Sequence, residues 1–104
     1  MEKSMIQFLN PQGEVVQKEG FPSLSEKDIK KMYELMVLAR VFDDVALKLQ
    51  REGRMLTYAS LLGQEASQVG SALAFEDQDW FTSSYRDHAV WITRGFPMEN
   101  LYLY

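Results

Sequence analysis

Ser25-Glu26-Lys27-Asp28-Ile29-Lys30-Lys31-Met32-Tyr33-Glu34-Leu35-Met36-Val37-Leu38-Ala39-Arg40-Val41-Phe42-Asp43-Asp44-Val45-Ala46-Leu47-Lys48-Leu49-Gln50-Arg51-Glu52-Gly53 is the longest periodic stretch of this 104-residue chain. Ser25, with Asp28 three residues on, supplies a helix start, and Gly53 stands where a helix commonly turns left-handed. Between them Ile29, Met32, Leu35, Leu38, Phe42, Val45 and Leu49 recur at steps of three and four, which predicts one apolar stripe on one long helix. Tyr33, Met36, Val37 and Val41 widen that stripe beyond what a helix on the surface of a small domain requires. Two readings follow: a central core helix, or a helix held between this chain and a partner. Arg40 and Asp44, four residues apart, are placed to pair.

Upstream, Ile6-Gln7-Phe8-Leu9, the turn signal Asn10-Pro11-Gln12-Gly13 and Val15-Val16 read as two short extended pieces about a type I turn. An isolated hairpin is marginal in water, so this arm, residues 1–24, needs another surface to lie on. Gly20, Pro22 and Ser23 mark the connection into the long helix.

Downstream, residues 63–75 predict a second helix with two rows of small residues, Ala66-Gly70-Ala74 and Gly63-Ser67-Ser71, which suit close helix packing. Glu76, Asp77 and Asp79 form an acidic loop before Trp80-Phe81. A third helix is expected to carry Tyr85 and run to Arg94 with Gly95 as its stop, placing Tyr85, His88, Ala89 and Ile92 on one side. Pro97-Met98-Glu99 reads as the start of another helix.

The chemistry concentrates in Ser83-Ser84-Tyr85-Arg86-Asp87-His88. With Ser84 as N-cap and Asp87 three residues later, the first turn would point backbone N–H groups and the positive end of the helix dipole outward. Arg86 adds a planar cation and Tyr85 a phenolic O–H, a set that suits phosphate or carboxylate oxygens. A first-turn arginine also occurs as a plain solvated charge. His88 has a side chain that titrates near neutral pH, and a lone histidine on a half-apolar face is also a common packed core residue.

Composition narrows the classes. Eight basic residues stand against nine acidic over 1–52 and three against six over 53–104, so no basic surface serves nucleic acid. No cysteine and a single histidine argue against a disulfide framework and a thiolate or His-rich metal site. Neither a signal-peptide core nor a membrane-spanning run is legible, and a cytoplasmic protein is expected.

Taken in order, Arg40-Val41-Phe42-Asp43, Leu49-Gln50-Arg51-Glu52-Gly53-Arg54, Leu62-Gly63-Gln64-Glu65-Ala66, Val69-Gly70-Ser71-Ala72, Asp79-Trp80, Tyr85-Arg86-Asp87-His88 and Arg94-Gly95-Phe96-Pro97 form a series. It resembles the N-terminal region of the α subunit of thiamin-diphosphate-dependent 2-oxo acid dehydrogenases, the E1 component of the pyruvate and branched-chain complexes. The resemblance covers nearly the whole chain, including Leu9-Asn10-Pro11-Gln12-Gly13-Glu14-Val15-Val16. It implies an α/β thiamin-diphosphate-binding fold for the parent, of which this stretch is the mainly α N-terminal part. Residues 1–24 would be the arm, and 25–104 the truncated helical part of the cofactor domain.

The resemblance further implies that Tyr85 and Arg86 contact the cofactor diphosphate. The Mg²⁺ ligands, a Gly-Asp-Gly…Asn-Asn signature absent here, and the catalytic histidines would lie outside this chain, so no catalytic or metal-binding residue is assigned. Thr57, Tyr58, Ala59 and Ser60 match a segment reaching toward the thiazolium and the substrate, with Tyr58 as a pocket wall and His88 near the substrate channel. Gln64 and Glu65 would support the site from behind. Ala89 stands where the family's pattern commonly has glycine. The implied partners are an E1 β subunit in a heterotetramer and a lipoyl-bearing E2 acyltransferase. Pyruvate, a branched-chain 2-oxo acid and an acetoin-type substrate remain open, and this stretch alone is expected to be inactive. A noncatalytic helical interaction module is the alternative from another class.

Overall fold

The computed structural model describes residues 5–103, so the first four residues of the arm and Tyr104 lie outside the described residues. Four helices follow one another: α1 (Glu26–Arg51), α2 (Glu65–Ala74), α3 (His88–Thr93) and α4 (Met98–Tyr102). No sheet is present among the described residues, and the β pairing seen there is one antiparallel bridge between Leu9 and Val15. The mainly α expectation therefore holds.

α1 begins and ends as its sequence dictates. Ser25 Oγ accepts from the Asp28 N–H at 3.1 Å, and Gly53 adopts φ 72° just beyond the last turn, where a Cβ would be strained. The buried line of α1 runs Ala39, Phe42, Asp43 and Ala46, spaced at three and four. Ala39 and Ala46 are fully buried, whereas Leu38 is exposed and Val45 only partly buried. A second apolar face is left uncovered: Leu38 is 37%, Val37 43%, Val41 54% and Tyr33 65% exposed.

Two packed groups share that line. One joins Phe42, Ala46, Tyr58, Ile92 and Leu101, with Trp91, Phe96 and Tyr102 against it. Phe42 and Tyr102 stack at 4.5 Å between ring centroids, which ties α4 to the middle of α1. The other joins Ala39, Leu61, Val69 and Ala89. Ala89 is fully buried where α1, α2 and α3 meet, its methyl packed in the same group as Ala39, Leu61 and Val69.

Several local expectations are corrected. α2 starts at Glu65 rather than residue 63, because Gly63 takes φ 87° and the chain turns there. Its small-residue rows are not packed: Ala66, Ser67, Ser71 and Ala74 are exposed, and the buried row is Glu65, Gln68, Val69 and Ala72. The third helix starts at His88, not behind Ser84. Asp87 accepts from the Ser84 N–H at 2.6 Å and Ser84 Oγ from the Arg86 N–H at 3.3 Å, so the two side chains close a local turn in place of a helix cap. Arg40 and Asp44 do not pair. Arg40 Nε reaches Glu65 at 2.5 Å, and Asp44 pairs with Lys48 at 3.0 Å.

The arm forms the expected turn. Gly13 N–H donates to the Asn10 carbonyl at 2.9 Å, and Val16 N–H to the Phe8 carbonyl at 2.8 Å. Phe8 meets Phe21 edge to face at 5.5 Å, and the described part of the arm adds no buried residue to the core.

Candidate functional site

A cleft of ≈ 540 Å³ opens between the loop after α1 and the start of α3. Met55, Trp91, Phe96 and Leu101 give it an apolar floor, and Thr57, Tyr58, Ser83, Tyr85 and His88 bring polar groups to its walls. That balance, an apolar body with a few polar groups, is the usual character of a small-molecule site.

Three of the four sequence-marked residues meet in this cleft: Tyr58, Tyr85 and His88. Arg86 does not line it directly. Its Nη1 donates to the Ser60 carbonyl at 2.6 Å, on the loop that forms the opposite wall, and its guanidinium lies 5.4 Å from the Tyr85 ring centre. Arg86 is half-buried and has no carboxylate partner among the described residues. Tyr85, by contrast, is 74% exposed, outside the helix and off the side shared by Ala89 and Ile92. The helix end expected behind Ser84 is therefore not formed; the polar groups left there are the Arg86 side chain and the Tyr85 hydroxyl.

His88 opens α3 with its ring 5.1 Å from Tyr58 and 5.7 Å from Phe42. Its Nδ1 is buried without a hydrogen-bond partner. Burial lowers the His88 pKa from its ordinary value, against the opposing pull of Asp43 and Asp87, so the ring is neutral at pH 7. A buried imidazole nitrogen without a partner is costly.

Tyr58 is a wall with a fixed orientation. Its hydroxyl donates to Asp43 Oδ1 at 2.6 Å and its N–H to Gln50 Oε1 at 2.6 Å. Burial first, then the Asp43 carboxylate, raises the Tyr58 pKa well above the ordinary phenol value, so the hydroxyl keeps its proton. Glu65 is buried and its carboxyl is held below the usual range, chiefly by the Arg40 hydrogen bond. Gln64 is exposed and accepts from Gln68 Nε2 at 3.1 Å.

Two residues that sequence reasoning passed over organise the site. Asp43, 2% exposed, accepts from Tyr58, from Ser60 Oγ at 2.7 Å and from the Leu61 N–H at 2.8 Å. Gln68 donates to the Arg86 carbonyl at 2.7 Å and accepts from the Ala89 N–H at 3.0 Å. The signal for both was a polar residue on a buried helix row: Asp43 between Ala39 and Ala46, and Gln68 between Glu65 and Ala72. Among the described residues no group of three or more His, Cys, Asp or Glu is placed to hold a metal ion, and no helix is long and apolar enough to cross a membrane.

This chain is 47% identical over 92 residues to the pyruvate dehydrogenase E1 component subunit alpha of Acholeplasma laidlawii, covering 88% of this chain and 27% of that relative. It is 38% identical over 99 residues to the proteins of the same name from Bacillus cereus and Bacillus subtilis, covering 95% of this chain and 27% of each. The chain thus spans about a quarter of the length of these curated relatives. Residues 33–104, which hold most of α1 and every group of the cleft, match the family described as Dehydrogenase E1 component, and the chain belongs to that family.

Proposed function

We propose that this chain forms one wall and one anion-binding corner of a thiamin diphosphate site, as part of an E1 α subunit of a 2-oxo acid dehydrogenase. The observation that carries the reading is the half-buried Arg86, without a carboxylate partner among the described residues, beside a cleft that gathers Tyr58, Tyr85 and His88. These residues fit the cofactor's chemistry. A cation and a phenol at the mouth suit a diphosphate, and an apolar floor with one unsatisfied imidazole nitrogen suits a flat heteroaromatic body.

In that role Arg86 supplies charge-assisted hydrogen bonds to diphosphate oxygens from the guanidinium N–H groups not engaged with Ser60, and the Tyr85 hydroxyl adds a further donor. Tyr58 bounds the pocket and excludes water. Neutral His88 offers Nδ1 to a polar atom of cofactor or substrate. The bound cofactor supplies carbanion stabilisation during oxidative decarboxylation of a 2-oxo acid and transfer of its acyl group to a lipoyl arm. Mg²⁺ is held by residues outside this chain, and an E1 β subunit and a lipoyl-bearing E2 acyltransferase complete the assembly. The site lies in the cytoplasm on this reading.

The subunit carrying this chain, assembled with its β partner, tests the proposal. Lipoyl acylation from pyruvate or a branched-chain 2-oxo acid should require added thiamin diphosphate. Turnover of none of the 2-oxo acids, or turnover indifferent to the cofactor, would contradict it.

A further inference from the structure

Asp43 is a buried carboxylate whose charge is matched by no salt bridge among the described residues. It is held by three neutral donors instead, and all three come from the four consecutive residues 58–61: the Tyr58 hydroxyl, the Ser60 hydroxyl and the Leu61 N–H, at 2.6, 2.7 and 2.8 Å. A carboxylate withdrawn from water persists only when its oxygens are bonded, so the helix face and the loop are locked to each other at one point.

The far side of the same loop carries the second half of the relation. The Ser60 carbonyl accepts from Arg86 Nη1 at 2.6 Å, while the Arg86 backbone carbonyl accepts from Gln68. Ser60 is therefore gripped through its hydroxyl by Asp43 and presents its carbonyl to Arg86. An arginine that must meet an anion in one geometry gains from being fixed before the anion arrives, because less side-chain entropy is lost on binding.

We propose that Asp43 is a positioning residue of the cleft: it clamps residues 58–61 so that Tyr58 stands as a fixed wall and the Ser60 carbonyl aims the Arg86 guanidinium. The clamp rests on the proposed function only for the identity of the anion.

Amide hydrogen exchange on the full chain, read by mass spectrometry, tests the clamp without a ligand. Asp43→Ala should speed exchange over residues 58–62 by at least about ten-fold while α2 amides keep their protection. Modification of Arg86 by phenylglyoxal should accelerate in the same variant. Asp43→Asn should restore both, since its Oδ1 still serves Tyr58 and Leu61 while the Ser60 hydroxyl turns to accept from the amide.

Unchanged loop exchange in Asp43→Ala, unchanged Arg86 reactivity, or an asparagine no better than alanine would overturn the clamp. Should Asp43→Ala lose protection everywhere, Ser60→Ala decides: it must raise Arg86 reactivity with α2 still protected, and failure to do so overturns the proposal. The cofactor role is separable. An intact clamp in an assembled enzyme that lacks thiamin diphosphate affinity overturns the function proposed above and not the clamp.

Discussion

The hydroxyl of Tyr58 and the carboxylate of Asp43, fifteen residues apart and both buried, lie 2.6 Å from each other and join the buried face of the long helix to the wall of the cleft. Tyr58→Phe keeps the ring but removes one of the three donors to a buried charge. A cost of about 1–3 kcal/mol is expected, read from chemical denaturation. The sign with pH follows from the raised Tyr58 pKa. The folded state holds that proton more tightly than the unfolded chain, so the associated stability is complete below the ordinary phenol pKa of about 10 and is lost as pH rises beyond it. Tyr102, also raised by burial, adds to the alkaline loss, so Tyr58→Phe should flatten the alkaline limb without abolishing it.

Acid should weaken the fold in two separate windows. His88 has a lowered pKa through burial, so its contribution is present above the ordinary histidine value of about 6.5 and is lost as pH falls below it. Glu65 has a lowered pKa chiefly through Arg40, so its contribution is present above about 4.3 and is lost below that. Thermal melts at stepped pH should show His88→Leu removing the first decline and Glu65→Gln the second. Superimposable acid profiles for wild type and both variants would refute these assignments.

The uncovered face of α1 predicts behaviour of the chain in isolation. Tyr33, Val37, Leu38 and Val41 together expose an apolar strip that should bind apolar dyes and promote self-association. Val37→Lys combined with Val41→Lys should suppress dye fluorescence while changing stability by no more than about 0.5 kcal/mol per site. Dye binding that survives both substitutions would place the exposed apolar surface elsewhere.

What the sequence made legible was local. The start of α1 could be read because Ser25 and Asp28 interact within one turn, and its end because Gly53 is free to adopt φ 72°. Gly53→Ala should accordingly cost about 1 kcal/mol, measured by denaturation, since a Cβ is strained there. The Asn10–Gly13 turn was legible for the same reason. Partners distant in sequence were not: Arg40 chose Glu65, 25 residues away, over its helical neighbour Asp44, because the fold brings α2 against α1. The start of α3 was misplaced because Ser84 and Asp87 bond to each other's turn and leave the helix to begin after them. Tyr85 and His88 were marked by the chemistry of their own stretch and Tyr58 by the family resemblance, whereas the bonds of Asp43 to Tyr58 and of Gln68 to Arg86 and Ala89 join segments distant in sequence and show only in three dimensions.

If Arg86 holds the cofactor diphosphate as proposed, titration calorimetry of thiamin diphosphate into the assembled apoenzyme with Mg²⁺ reads the contact as binding affinity. Arg86→Ala should weaken binding about ten-fold or more, the loss of a charge-assisted hydrogen bond, with a smaller effect for Tyr85→Phe and little change in the 2-oxo acid KM once cofactor saturates. Equal cofactor affinity in wild type and Arg86→Ala would contradict the account and return Tyr85 and Arg86 to an ordinary surface turn.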